Sequence, residues 1–404
     1  MRVVAQEKAR TMEHSFTDEQ RMLKDSVDRM LDERYSFAQR RRIVESEAGH
    51  SPEVWQVFAD IGLLAIPFDE RHGGLGGSCV DTMIVMQALG RKIVVEPYLP
   101  TVVLAGGLLR HGGSAAHKAT LIPEIVAGRM RLAFAHAEAN GRYNPSSVST
   151  IARRSGSAYR LHGQKCVVYG APMADKLLVT ARTGGGERDP IGISVFHVDR
   201  KAAGLSFRDY PTIDGMRASE LMFDGVEVHS DDIVGELDHG LPLVERVLDE
   251  ASAAVCAEAT GAMTVINDKT LEYARNRVAF GQSISSFQVI QHRLVDMRVA
   301  CEYAAAMSLM AALKLDAPAP ERARAVSAAK SMVGRDSRFV GQSAIQLHGA
   351  IGMADELDIG HYFKRITTIG LLFGNSDHHL RRFWREWRGS DTQGQHHASP
   401  SEVA

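Results

Sequence analysis

The spacing of the apolar residues changes twice along this chain, from helical to alternating and back to helical. A switch of period from 3.6 to 2 and back cannot be housed in a single layer of one element type. It predicts segregated helical and strand units packed as separate bodies. From residue 17 to about 130 the pattern is helical. Thr17 and Gln20 have the spacing of a capping box, and Leu23, Val27, Met30 and Leu31 then share one face. Val54, Val57, Phe58, Ile61 and Leu64 form a second stripe that ends near Pro67, and the loop Gly73–Gly77 punctuates the segment.

Between about 131 and 235 the texture is that of short strands separated by Gly, Pro and Asp. Tyr159–Tyr169 reads as a hairpin turning at His162-Gly163, and 177–180, 193–198 and 219–223 read as further strands. Strands this short and this closely spaced predict a small barrel or sandwich. From about 240 helix returns, with Leu248, Ala251, Val255, Ala262 and Ile266 on one face and Leu294, Met297, Cys301 and Ala304 on another. The fold class is therefore α+β: a helical unit over 15–130, a small β unit over 131–238 and a four-helix bundle over 239–388. Residues 1–14 read as a flexible extension, and 389–404 have the composition of a disordered tail.

Lys and Arg number 47 against 49 Asp and Glu, a net charge of −2, which argues against nucleic acid or an anionic membrane as partner. No apolar run approaches the ~18 residues a membrane span needs, and 1–14 lack the apolar stretch of a signal peptide. The four cysteines, Cys79, Cys166, Cys256 and Cys301, lie far apart without zinc-ligand spacing. They read as small buried hydrophobes in a reducing, cytoplasmic compartment.

Several local features have plain structural readings. The Gly73–Gly77 loop lacks the register of a dinucleotide fingerprint, since the third glycine would fall on Cys79. His378 and His379 are adjacent on a predicted helix and point about 100° apart, so no metal site is expected there. Arg381, Arg382, Arg385 and Arg388 read as a solvated face near a helix end, with a subunit interface or a nucleotide phosphate as the alternative.

The stretch Arg277-Val-Ala-Phe280-Gly281-Gln-Ser-Ile284-Ser-Ser-Phe287-Gln288 resembles the RxxFGxxIxxFQ signature of the acyl-CoA dehydrogenases. Gln346-Leu-His-Gly349-Ala350-Ile-Gly352 is similar to the family's QxxGGxG, with alanine for one glycine. His162-Gly163-Gln164-Lys165 resembles its NGQK hairpin, and Gly73–Gly77 its N-terminal glycine turn. The resemblance spans about 15–388 on the same helix–β–helix plan. It implies FAD as cofactor, an acyl-CoA substrate, an electron-transfer flavoprotein as acceptor and a tetrameric assembly. It also implies that Arg277, Phe280, Gln288, Gln346, Gly349 and Ala350 contact FAD, donated to the cofactor of a neighbouring subunit. A guanidinium at 277 would hold the diphosphate by charge-assisted hydrogen bonds. Phe280 and Phe287 keep a second reading as core residues.

The family's other positions are altered. Its WxT corresponds to Val167-Val168-Tyr169, and its TEPGAGSD loop to 137–144, where a hydroxyl residue has become Tyr143. Counted from Gly352, the family's glutamate falls on Phe373, and its alternative position, 26 residues before Arg277, falls on Ala251. Glu250 and Asp377 are the nearest displaced candidates, so the catalytic residue is unassigned. Loss of base and ring contacts beside retained cross-subunit contacts resembles the small subunit of pimeloyl-CoA-type heteromeric dehydrogenases. Two alternatives stay open. One is a self-sufficient homotetramer with a displaced base; the other is a flavin oxidase, monooxygenase or acyl-CoA binder on the same fold.

Overall fold

Amphipathic stretches with clear start signals become helices in the computed structural model, which describes residues 16–394, without the side chains of 389–394. The N-terminal unit holds α1 (Asp18–Arg34), α2 (Phe37–Glu45), α3 (Pro52–Asp60), α4 (Cys79–Arg91), α5 (Gly106–Gly112) and α6 (Ala115–Val126). A π-helical turn, Leu99–Ala105, precedes α5. The capping box forms as expected: Thr17 Oγ1 accepts from Gln20 N at 3.2 Å, and Thr17 N donates to Gln20 Oε1 at 3.2 Å. Such a cap stabilises a helix start by ~1 kcal/mol. The Gly73–Gly77 loop is a structural turn, with the amides of Gly74, Gly76 and Gly77 donating to the carbonyls of Asp69, Phe68 and Ile66.

The β unit is one eight-stranded sheet. Its strands are β1 (Leu132–Ala135), β2 (Ile151–Ser155), β3 (Ala158–Tyr169), β4 (Lys176–Arg182), β5 (Ile193–Asp199), β6 (Leu205–Pro211), β7 (Arg217–His229) and β8 (Ile233–Val234). They run in the order β6-β7-β3-β2-β4-β5-β8, with β1 parallel on β4. The expected turn at His162-Gly163 does not exist. β3 passes straight through it, paired with β7 from Ala158 to Tyr169, and the hairpin turn lies between β2 and β3. Gly163 stays in register opposite Phe223, one residue past a shift in the β3–β7 pairing, at φ +144, where a Cβ would stand 2.6 Å from Thr150 Cα. Glycine here marks a close backbone approach, which a sequence cannot distinguish from a turn.

After the sheet come α7 (Leu241–Asn276), the two-stranded hairpin β9 (Val278–Ala279) and β10 (Gln282–Ser283), α8 (Gln288–Leu313), α9 (Ala319–His348), α10 (Asp358–Ile369) and α11 (Ser376–Gly394). The bundle thus has a fifth, shorter helix, α10, packed on α7 and α9. α11 continues six residues into the stretch read as a tail; 395–404 and the extension 1–14 lie outside the described residues. Cys256 and Cys301 are buried as expected, whereas Cys79 and Cys166 are half-buried, and all four are free.

The two helical units share one core, in which Phe58 and Leu64 join Val247, Met297 and Val326, while the sheet keeps its own around Leu161, Val179, Phe196 and Phe223. The helical units merge where α4 crosses α7 at a pair of glycines. A Cβ on Gly90 would meet Glu258 O at 2.0 Å, and one on Gly261 would meet Gln87 O at 2.0 Å. The sheet is tied to this junction by Arg365, whose buried guanidinium bridges Glu258 (2.5 and 2.7 Å) and Asp214 (2.7 Å). Arg40 adds a bond from α2 to Asp214 O at 2.7 Å. That junction sets the cleft between sheet and bundle.

Candidate functional site

The residues singled out by the two signatures gather at one end of the bundle. Arg277 is the C-cap of α7, Gln288 opens α8, and Gln346 lies in the last turn of α9. Tyr273 holds these ends together: its ring stacks on His348 at 4.4 Å and its hydroxyl donates to His348 O at 3.4 Å. Between α7 and α8 the β9–β10 hairpin turns on Phe280 (φ +54) and Gly281 (φ +80), both left-handed as a two-residue type I′ turn requires. A phenylalanine there is strained, yet its ring is 96% exposed, so the core reading of Phe280 does not hold. Phe287 is half-buried and meets Phe280 edge-on at 6.3 Å. Arg277, Gln288, Gln346, Gly349 and Ala350 are exposed too. Gly349 ends α9 at φ +65, and a Cβ there would meet nothing within 4 Å. This end of the bundle is a displayed surface, and none of these residues lines the cleft of the same chain.

The cleft is a separate feature. A cavity of about 580 Å³ opens between the sheet and the turn after α10, walled by Tyr143, Val167, Tyr169, Ile213, Leu248 and Phe373. Tyr143 and Tyr169, the altered family positions, line it without filling it. Three residues on its wall have positive φ without being glycine: Arg142 (+48), Val167 (+50) and Phe373 (+57). Such strain persists only where neighbours impose it, and it concentrates at functional sites. At Val167 the neighbour is a second irregularity in the β3–β7 register, between Lys165 and Val168. At the 137–144 loop it is a buried pair. Glu138 accepts from Lys165 Nζ at 2.6 Å and from the amides of Ser149 (2.7 Å) and Thr150 (3.1 Å). Burial alone would raise the Glu138 carboxyl, but the Lys165 ammonium and the Ser149 donors hold it down at about 2.

A second cavity of about 540 Å³ shares Arg142, Tyr143 and Asn144 with the first and is cationic: Arg142, Arg188 and Arg381 line it beside a neutral His378, with Asp377 the one carboxylate. Among the described residues none of these three guanidinium groups has a carboxylate within ion-pair distance. The arginine run read as one face is thus divided by the fold. Arg382 turns inward to Asp249 at 2.5 Å, Arg385 pairs with Glu386, and Arg381 faces the cavity. No group of residues suited to a metal occurs among those described.

Neither displaced base is on the first cavity. Glu250 is buried elsewhere, bound by Arg110 (2.5 Å), His111 (2.7 Å) and Arg246 (3.1 Å). Burial would raise its carboxyl, but Arg110 and His111 bring it to about 2, so it is a structural anion. Asp377 is exposed and faces the second cavity. Ala251 is buried, and Phe373 occupies the other counted position, its ring 6.3 Å from that of His136. Burial, then the charge of Lys165, lowers His136 to about 4 and keeps it neutral. Nothing local in the sequence marks His136 or Ile213, and Leu248 reads there only as part of a helix face, because each reaches the cavity from a different element. Lys330 did leave one: it interrupts the apolar stripe Val326, Ala329, Val333 on α9.

The comparisons agree with this architecture. Acyl-CoA dehydrogenase N-terminal, middle and C-terminal domains match residues 17–129, 133–226 and 238–386. The chain is 29% identical to a 3-(aryl)acrylate reductase of Clostridium sporogenes, over 83% of this chain and 89% of that protein. The Tcur3481-Tcur3483 steroid ACAD, as a variant, is 26% identical with a TM-score of 0.84, over 93% of this chain and 99% of that one. The ChsE4-ChsE5 complex from Mycobacterium tuberculosis is 26% identical with a TM-score of 0.84, over 92% and 98%. No described helix is long and apolar enough to cross a membrane. With three matching domains in order over most of its length, this chain belongs to the acyl-CoA dehydrogenase family, oxidoreductases acting on the CH–CH bond of acyl-CoA.

Proposed function

We propose that this chain is the supporting subunit of an FAD-dependent acyl-CoA dehydrogenase that desaturates an acyl-CoA thioester, completing the FAD site of a related catalytic chain. One observation carries the reading. The ring-sized cavity has a single carboxylate on its wall, Glu138, and that carboxylate is committed to Lys165, Ser149 and Thr150. α-Proton abstraction from a thioester in this family uses a carboxylate with a free lone pair at the carbon, and no uncommitted carboxylate faces this cavity among the described residues.

The residues present do fit FAD. An apolar, aromatic cavity adjoins a cationic one with uncompensated guanidinium groups, which suits a flat ring joined to a diphosphate. When bound, FAD supplies the acceptor for the β-hydrogen as hydride. Arg142, Arg188 and Arg381 would hold a diphosphate within this chain; Arg277, Phe280, Gln288 and Gln346, exposed at the far end of α7 and α9, would reach the cofactor of a neighbour. The apolar walls exclude water, which strengthens every electrostatic contact inside. The two 26%-identical structures carry names of paired chains or of a complex, which supports a heteromer. The small subunit of pimeloyl-CoA-type heteromeric dehydrogenases is the proposed functional analogue, on the pattern of lost base and ring contacts beside retained signature residues. An electron-transfer flavoprotein is the proposed acceptor, in keeping with the Etf complex named for the 28%-identical subunit CarC of Acetobacterium woodii.

The test is the absorbance spectrum and native mass of the chain purified alone and with a co-expressed family partner. Flavin that fills only in the mixture, with acyl-CoA bleaching it under argon, is the expected result. Full flavin on the chain alone, bleached by acyl-CoA, would establish the self-sufficient homotetramer instead.

A further inference from the structure

The turn after α10 is held by a buried cation that has no carboxylate partner. Lys330, 1% exposed on α9, donates from Nζ to Ile369 O at 2.8 Å and to Gly374 O at 2.9 Å. Ile369 is the last residue of α10, so the ammonium satisfies a carbonyl that the helix leaves unpaired and sits at the negative end of its dipole. Between the two carbonyls lie Leu371, Leu372 and Phe373, all on the wall of the first cavity. His379, also buried, adds a third tie. Its Nε2 lies 3.1 Å from Phe373 O and its Nδ1 3.3 Å from Ser327 Oγ. A carbonyl can only accept, so Nε2 carries the proton and Nδ1 accepts from the serine. The strained Phe373 thus has its carbonyl bonded, and Gly374 follows at φ +124, where a Cβ would meet His378 Cδ2 at 2.6 Å.

We infer that Lys330 is a positioning residue of the cofactor cavity: by bridging Ile369 and Gly374 it holds Phe373 in the wall, at the place counted for the family's carboxylate. The cavity's role as a ring site rests on the function proposed above; the clamp itself does not. Burial lowers the Lys330 ammonium to about 8, with Cys256 opposing. The other titratable groups facing it keep one charge state around that pH. Burial pushes the Cys256 thiol up to about 12; burial and nearby cations keep His378 low and His379 at about 2. Neutral lysine retains two N–H donors but loses the charge that strengthens both bonds.

The experiment is amide hydrogen exchange of the full chain alone, comparing wild type with Lys330→Met. Exchange of residues 370–374 should rise at least ten-fold while β3 and α8 are unchanged, and n-propylammonium added to Lys330→Ala should restore part of the protection. Unchanged exchange in the turn, or acceleration spread evenly through the bundle, overturns the inference. Should the variants not fold, wild type decides. Between pH 7 and 9 exchange of 370–374 should rise by more than the ten-fold per unit that β3 shows, and an equal rise overturns it. None of this requires flavin or a partner, so a negative result leaves the supporting-subunit reading standing, and failure of that reading leaves the clamp.

Discussion

The ammonium of Lys165 lies 2.6 Å from Glu138 Oε1, and both groups are buried. Lys165 ends the stretch that resembles NGQK, and Glu138 stands in the 137–144 loop, 27 residues earlier. Thr180 Oγ1 accepts a second bond from the ammonium at 2.9 Å. The physical content of the two motifs is therefore one ion pair, which ties a cavity-lining loop to the middle of the sheet.

Breaking that pair from one side leaves a buried charge. Lys165→Met should cost about 3–5 kcal/mol in chemical denaturation, whereas Lys165→Met combined with Glu138→Gln should cost less than either single change summed with the other. Equal or additive losses would show that the two groups do not act as a pair.

Glu96 supplies a pH signature. It is 2% exposed, with Oε1 accepting a 3.3 Å bond from Ser51 N, and burial, opposed by the Tyr35 hydroxyl, pushes its carboxyl up to about 7. The folded chain thus keeps a proton that the unfolded chain releases near 4.5. Its contribution is fully present below about 4.5 and is lost as pH rises to about 7, by up to about 3 kcal/mol. Glu96→Gln should therefore match wild type in stability at pH 4.5 and exceed it at pH 8. Denaturation curves at the two pH values check this, and a variant less stable than wild type at pH 8 contradicts it.

Phe280 separates folding from assembly. With its ring 96% exposed, Phe280→Ala should change the stability of this chain by no more than about 0.5 kcal/mol and relieve a left-handed backbone only slightly. The same change should lower FAD occupancy of the mixed assembly several-fold. Unaltered occupancy would remove Phe280 from the donated surface.

Glu250 tests the displaced-base alternative. Its removal leaves Arg110, His111 and Arg246 without their common anion, so Glu250→Gln should cost about 3 kcal/mol of stability. Flavin reduction by acyl-CoA in the mixed assembly should keep its wild-type rate. A rate lost by 10³-fold or more, with the fold intact, would make Glu250 a base after all.

The amino-acid order alone determined the features that are local. Period set the three segments, Thr17 and Gln20 set the start of α1, and Arg277 to Gln288 set the displayed hairpin, because each depends on neighbours within a few turns or residues. The absence of a base at 251 and 373 was legible in the same way, by counting. What faces what across the chain was decided by packing. Gly163 must be glycine because Thr150 approaches it; Glu250 is a structural anion because Arg110 and His111 arrive from α5. The arginines of α11 part company because Asp249 on α7 captures Arg382 and leaves Arg381 to the second cavity. Those partners lie 13 to 140 residues away in sequence. Only a shared core brings them together, and no periodicity records such distances.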